Sequence, residues 1–208
     1  MDSAKYLGVT LSDDLQWEKH TQAIAAKASR SLGFLRRNLR DCSREVKETT
    51  YKTLVRPTME YAASAWDPYK VDDVNRLDKV QRRAARFACN DYKDRTPGCV
   101  TSMVNRLGWE QLQDRRRLQR LTMLFKITQS LVDIPEASHI VKTNDRRTRG
   151  TQRLFQPFAK IMVYKQSFFP RTIQDWNKLP SSTTDISDIE AFKTALHTEV
   201  AAPPLSSA

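Results

Sequence analysis

The sequence predicts a mainly α-helical fold, a helical bundle with a short strand at its N-terminus. Three observations predict it. Apolar residues recur with helical spacing over long stretches, helix-capping residues precede several of these stretches, and glycine is scarce, with 5 in 208 residues. Aromatic and β-branched residues concentrate near residues 151–165, which could form a small β-hairpin.

The N-terminal segment predicts one strand followed by one helix. Residues 5–11 alternate between apolar and other side chains, a pattern typical of a short strand. Ser12 offers an N-cap for a helix that runs to about Leu39. Asp13 and Asp14 suit the first turn of that helix, and we prefer this interpretation to a metal-binding acid pair.

The remaining elements follow from apolar periodicity and from capping signals. Further helices are predicted from the Ser43 cap to Pro57, over 59–66, about 71–89, 100–107, about 109–132, 167–179 and 189–200. The predicted organisation has three parts: a strand plus helical bundle over 1–132, a basic loop or linker over 133–150, and a small C-terminal segment over 151–208.

The charge balance points to a polyanionic partner. Lysine and arginine number 35 against 24 acidic residues, a formal net charge of +11. Residues 71–130 carry thirteen basic and seven acidic residues, so the surplus is concentrated in the middle of the chain. Nucleic acid is the commonest partner of such a chain. The longest stretch without a charged residue has ten residues, 96–105, whereas a membrane-spanning helix needs about 18, so we expect no membrane partner.

Residues with redox, metal or catalytic chemistry form no recognisable motif. Cys42, Cys89 and Cys99 are odd in number and widely spaced, which indicates reduced thiols in a nuclear or cytoplasmic, intracellular protein. The start of the chain has no apolar segment typical of a signal peptide. The three histidines are scattered, and no nucleophile–base pair or phosphate-binding glycine loop is present. We therefore expect no catalytic residue, no metal site and no cofactor in this chain.

The clearest binding signal lies on the third long helix. Lys79, Arg82, Arg83 and Arg86 have the spacing i, i+3, i+4, i+7, which places all four cations on one helix face. A row of cations of this kind can neutralise phosphates along a nucleic-acid backbone. The alternative is a solvated basic face whose side chains lie along the helix surface.

A second basic cluster lies on the following helix. Arg115, Arg116 and Arg120 are candidate phosphate ligands there. Together with Arg117 they spread over about 200° of the helix circumference, so they do not all face one ligand. Some of them are expected to pair with acids or to pack along neighbouring helices instead.

A set of short sequence blocks follows one another in a recognisable order. The blocks are Tyr-Leu-Gly-Val at 6–9, Leu-Gln-Trp-Glu-Lys-His at 15–20, Leu-Gly-Phe-Leu-Arg-Arg-Asn-Leu at 32–39, Leu-Val-Arg-Pro at 54–57, Glu-Tyr-Ala at 60–62, Trp-Asp-Pro-Tyr at 66–69, Val-Gln-Arg-Arg-Ala-Ala-Arg-Phe at 80–87, Leu-Gly-Trp at 107–109, Ser-Phe-Phe-Pro-Arg-Thr-Ile at 167–173, Trp-Asn at 176–177 and Leu-Pro at 179–180. Their order resembles the C-terminal part of a non-LTR (LINE-type, jockey-like) retrotransposon reverse transcriptase. The resemblance covers about residues 4–198.

The resemblance implies a function in holding nucleic acid. In that family the strand equivalent to Tyr6, Leu7 and Gly8 is similar to the primer grip, and the helices after it are similar to the thumb, which holds the template–primer duplex of RNA and DNA. The catalytic aromatic-x-Asp-Asp block, the fingers and the endonuclease lie upstream in the family. The resemblance therefore implies a truncated polymerase that is inactive alone, that needs Mg²⁺ only as part of the full-length enzyme, and that could associate with the missing palm and fingers.

A different class of function is compatible with the same residues. A domesticated helical adaptor could use the basic face to bind an acidic protein partner. Salt dependence of nucleic-acid binding would separate the two hypotheses.

Overall fold

A computed structural model describes residues 2–134, 140 and 153–201 of the chain. The fold is mainly helical, as the sequence predicts, and it has a short two-stranded antiparallel sheet at the N-terminus. The chain forms two compact units, residues 1–115 and 116–208. Each unit has its own hydrophobic core.

The elements of the first unit begin with a sheet and continue as helices. They are β1 (Ser3–Tyr6), β2 (Val9–Ser12), α1 (Glu18–Asn38), α2 (Arg44–Thr50), a π-helical turn (Tyr51–Val55), α3 (Arg56–Glu60), α4 (Ala63–Trp66), α5 (Val71–Cys89) and α6 (Cys99–Arg106). Helix α7 (Leu112–Thr128) has its first turn in this unit. In the second unit follow α8 (Met162–Lys165), α9 (Phe168–Trp176), α10 (Ser181–Thr184) and α11 (Ile189–Ala201).

The segment predicted as one strand over 5–11 is a hairpin instead. Strands β1 and β2 pair antiparallel, with Tyr6 opposite Val9. The two residues between them have positive φ, 44° at Leu7 and 86° at Gly8, as a type I′ turn requires. Glycine adopts this conformation without strain and leucine does not, which is why the local sequence gave no turn signal at position 7.

The prediction that Ser12 caps the first helix is wrong. Ser12 is the last residue of β2, and α1 begins at Glu18. The Ser12 hydroxyl donates a hydrogen bond to Asp14 Oδ1 at 2.6 Å, and the Gln16 amide donates to the same oxygen at 2.9 Å. These two bonds lower the pKa of Asp14, and the bond from Ser12 has the larger effect. Asp14 therefore stabilises the turn between β2 and α1.

Helices α1 and α5 pack against each other in the core of the first unit. Buried positions of α1 recur every three or four residues, at Thr21, Ala25, Ala28, Leu32 and Leu35. The two alanines leave room for a neighbouring helix to approach closely, and α5 lies there. The rest of this core includes Tyr51, Val55, Met59, Trp66, Leu77, Val80, Ala84, Phe87, Met103, Trp109 and Leu112.

A proline explains the π-helical turn between α2 and α3. Helix α2 begins as predicted, with the Ser43 side chain accepting a hydrogen bond from the Val46 amide. Pro57 lacks an N–H and its ring clashes with the preceding turn, so the helix cannot continue regularly through it. The Arg56 amide donates to the Tyr51 carbonyl five residues earlier, and the wider turn leads the chain into α3.

The second unit packs its helices around aromatic residues. Its core contains Leu118, Leu121, Leu124, Phe125, Leu154, Ile173, Trp176, Phe192 and Leu196. The β-hairpin considered near 151–165 is absent from the described residues 153–165, where Leu154 makes an isolated bridge and α8 takes up 162–165. The side-chain amide of Asn177 bonds to both backbone groups of Leu154: its Oδ1 accepts from the Leu154 amide and its Nδ2 donates to the Leu154 carbonyl.

Most of the predicted basic loop over 133–150 lies outside the described residues. The predicted division into 1–132, 133–150 and 151–208 therefore stays a prediction.

Candidate nucleic-acid interface

Helix α5 directs its cations away from the core. Leu77, Val80, Ala84 and Phe87 are almost completely buried, and the basic residues lie on the opposite side of the helix. Asp72 and Asp73 lie in the first turn, where negative charge stabilises the positive end of the helix dipole. The amphipathic pattern of the sequence therefore fixes which face of α5 is accessible.

Buried Asp73 anchors the N-terminal end of α5 to α1. Its Oδ1 accepts a hydrogen bond from the Thr21 hydroxyl at 2.7 Å, and Arg76 Nη1 lies 2.8 Å from the same oxygen. This residue is only 2% exposed, and its carboxylate is already bonded to Thr21 and Arg76.

Lys79, Arg82 and Arg83 form the accessible part of the predicted cation row, and we call these three residues the basic face of α5. All three are exposed. Within the described ranges, no carboxylate forms an ion pair with any of them. Three unneutralised cations on consecutive turns of one helix make a local concentration of positive charge.

Arg86, the fourth member of the predicted row, is half-buried and partly committed to its surroundings. Its Nη1 donates to the carbonyl of Asp91, and its Nη2 lies 3.3 Å from Cys99 Sγ. Arg86 therefore braces the loop that follows α5, and we do not include it in the basic face.

A groove runs beside the N-terminal half of α5, with a volume of about 560 Å³. Lys79 and Arg82 line it together with Lys70, Asn75 and Arg76. Its lining also includes Glu18, Asp72 and Asp73, so the groove itself carries charges of both signs. Four cations line the groove against three acids, a surplus of one, and Arg83 is not among the lining residues.

The second predicted cluster has structural partners. Arg115 makes a two-pronged ion pair with Glu60 and also contacts Glu110. Arg116 is 0% exposed and Arg120 is 3% exposed, and Arg120 donates to the Thr172 hydroxyl and to Asp175 Oδ2. A buried guanidinium has no surface to present to a phosphate. We therefore leave Arg115, Arg116 and Arg120 out of the proposed interface.

Tyr6, Leu7 and Gly8 lie at the tip of the N-terminal hairpin. Tyr6 and Leu7 are 67% and 73% exposed. The Tyr61 hydroxyl donates to the Leu7 carbonyl at 3.2 Å and holds the turn. The tip therefore combines an exposed aromatic ring with a turn that contains a strained leucine.

Sequence reasoning missed a second basic site, at the C-terminal ends of α1 and α5. A groove of about 920 Å³ is lined there by Arg36, Arg37, Arg40, Tyr92 and Lys93. Three arginines within five residues were a signal in the sequence. Their meeting with Tyr92 and Lys93, more than fifty residues later, depends on the packing of α1 against α5 and could not be derived from local patterns.

The described residues contain no cluster of three or more histidine, cysteine or acidic side chains that could hold a metal ion. The three cysteines are unpaired. Across the helices that the structure describes, none is long and apolar enough to cross a membrane.

Comparison with protein-family models, with curated proteins and with solved structures gave no match.

Proposed function

We propose that this chain binds a nucleic-acid duplex through the basic face of α5. The observation that carries the proposal is that Lys79, Arg82 and Arg83 are exposed, share one helix face and have no acidic partner in the described part of the chain. The net charge of +11 adds a long-range attraction for the same partner.

The spacing of the basic face favours a functional explanation. Like charges three or four residues apart destabilise a helix by about 0.2–0.5 kcal/mol per pair. Uncharged polar residues would satisfy solvent exposure equally well without that loss. The cations therefore reduce the stability of α5, and neutralisation by phosphates offers a compensating gain.

The chemistry of the face predicts binding to the backbone without reading of bases. Lysine and arginine on a regular helix contact phosphates, and such contacts position a duplex but carry no sequence information. The three cations span about 6 Å along the helix axis, at a rise of about 1.5 Å per residue. We expect recognition by duplex shape, with little dependence on base sequence.

The resemblance to non-LTR retrotransposon reverse transcriptases gives the proposal a context. In that context the helices of the first unit hold the template–primer duplex, and the hairpin tip at Tyr6, Leu7 and Gly8 contacts the primer end. Phosphoryl transfer needs carboxylates that hold two metal ions, and we propose that the palm of a longer polymerase supplies them. We expect the chain to act inside the cell, in the nucleus or cytoplasm, and to extend no primer by itself.

The direct experiment measures binding of a short RNA–DNA duplex to the full chain by fluorescence anisotropy. The variant with Lys79→Gln, Arg82→Gln and Arg83→Gln should bind at least about tenfold more weakly. A matched control removes the same charge from exposed positions of the second unit, with Lys160→Gln, Lys165→Gln and Lys178→Gln. The control should bind within about twofold of the wild type, because its lost cations act only through the net charge.

The adaptor hypothesis predicts a different result. If the wild type has no measurable affinity for RNA or DNA at low salt, the nucleic-acid proposal fails, and an acidic protein becomes the favoured partner. If the two triple variants lose affinity equally, the charge of the whole chain and not the face of α5 would account for binding.

A further inference from the structure

The groove at the C-terminal ends of α1 and α5 has the features of a second binding site, next to a braced loop. Its volume of about 920 Å³ is within the range of pockets that hold small ligands. Arg36 and Arg37 come from the last turn of α1, Arg40 follows that helix, and Tyr92 and Lys93 come from the loop after α5.

The loop after α5 is held by specific hydrogen bonds. Asn90 ends the helix in a left-handed conformation, with φ of 52°. Asp91 Oδ1 accepts from the amides of Lys93 and Asp94, at 3.2 and 3.1 Å. Arg86 donates to the Asp91 carbonyl on the other side. Tyr92 and Lys93 are thus presented from a fixed backbone.

The groove carries an excess of positive charge. Four cations line it against two acids, Asp41 and Asp91, and the Asp91 carboxylate already accepts two backbone amides. Cations near a helix C-terminus also stabilise the helix dipole, which accounts for Arg36 and Arg37. It does not account for Arg40 and Lys93, which lie outside the helices.

An aromatic ring lies among these cations. The guanidinium carbon of Arg36 is 4.9 Å from the centroid of the Tyr92 ring, a distance typical of a cation–π contact. Tyr92 remains 38% exposed, so part of the ring is available to a ligand. Aromatic rings among phosphate-binding cations are typical of sites for single-stranded nucleic acid, where unpaired bases stack on the rings.

We propose that this groove binds an unpaired stretch of nucleic acid, with one base stacked on Tyr92 and adjacent phosphates on Arg37, Arg40 and Lys93. The inference rests on the proposed function and extends it: the preferred ligand is a duplex with a single-stranded extension. Bases inside a duplex are already stacked on their neighbours, so the groove distinguishes unpaired from paired nucleotides.

The test compares a blunt RNA–DNA duplex with the same duplex carrying a single-stranded extension of about four nucleotides. The full wild-type chain should bind the extended duplex about tenfold more tightly than the blunt one. Tyr92→Leu should remove most of this gain and leave blunt-duplex affinity unchanged, while Tyr92→Phe should keep the gain. Tyr164→Leu, at another exposed tyrosine, should keep it as well.

A second pair of variants tests the phosphate contacts. Arg40→Gln combined with Lys93→Gln should reduce the gain from the extension, whereas Arg106→Gln, at an exposed cation outside the groove, should not. If the extension adds no affinity, or if Tyr92→Leu retains the full gain, the inference is overturned while blunt-duplex binding still supports the proposed function. Loss of all duplex binding in the wild type would overturn both.

Discussion

Arg115 and Glu60, 55 positions apart in the sequence, form a two-pronged ion pair in the first unit. Burial raises the pKa of Tyr51, and both charges also act on that pKa, Glu60 raising it and Arg115 lowering it. The Tyr51 ring stacks on Trp109, with the centroids 4.2 Å apart. Arginines of this chain therefore lie in two different environments. Arg115 is held by carboxylates, whereas Arg83 is exposed and has no acidic partner among the described residues.

Arg115→Gln should therefore destabilise the fold more than Arg83→Gln. The Glu60 side chain is only 10% exposed, and without Arg115 it keeps only the longer ion pair with Arg56, 3.7 Å between Oε1 and the Arg56 Nε. We expect a loss of about 1–3 kcal/mol for Arg115→Gln and about 0.5 kcal/mol or less for Arg83→Gln, measured by urea unfolding. Equal losses would contradict the division into structural and binding arginines.

Leu7→Asn, at the hairpin tip, should stabilise the fold and weaken nucleic-acid binding. Leucine at φ of 44° is strained, and asparagine followed by Gly8 is a favoured type I′ turn. We expect a gain of about 0.5–1 kcal/mol in unfolding free energy. Under the proposed function the same substitution weakens duplex binding, because an exposed apolar contact is lost. If the variant is more stable and binds the duplex as tightly as the wild type, Leu7 does not contribute to the interface.

His20 should make the first unit sensitive to mild acid. The ring is 3% exposed, its Nδ1 accepts a hydrogen bond from the Thr10 amide at 3.2 Å, and it packs edge-on against Trp66. Burial lowers the pKa of His20 from its ordinary value of 6.5, and the charge of Lys5 lowers the pKa further. In the folded state His20 is therefore protonated only at a lower pH than in the unfolded chain.

The sign of the effect follows from this difference in pKa. The contribution of His20 to stability is complete above pH 6.5 and is lost as the pH falls below that value towards the pKa of the folded state. His20→Gln keeps an acceptor for the Thr10 amide and does not titrate. Between about pH 7.5 and pH 5.5 the urea midpoint should fall more for the wild type than for this variant. Parallel curves would show that the pKa of His20 does not differ between the folded and unfolded states, which would contradict this prediction.

Features set by local periodicity could be predicted from the sequence. Helix α5 was expected over about Val71 to Cys89 and spans those residues, because its apolar spacing and first-turn acids agree. The orientation of Lys79, Arg82 and Arg83 followed from the same spacing. That these residues bind nucleic acid remains a proposal, but their exposure was predictable.

Features set by distant partners could not be predicted. The burial of Arg116 and Arg120 depends on how α7 packs. Arg120 donates hydrogen bonds to Thr172 and Asp175, more than fifty residues later in the sequence. The turn at Leu7 was hidden because leucine disfavours positive φ. Residues 153–165 have strand-forming composition, yet they contain no β-strand, and the Leu154 backbone bonds to the side chain of Asn177.

The salt dependence of duplex binding tests the central claim most directly. Each phosphate contact contributes roughly 0.7–0.9 to the slope of log affinity against log salt concentration. If the basic face of α5 binds phosphates, the variant lacking Lys79, Arg82 and Arg83 should have a slope shallower by about 2 to 3 than the wild type, and the variant lacking Lys160, Lys165 and Lys178 should keep the wild-type slope. Identical slopes for the wild type and the α5 variant would contradict the account.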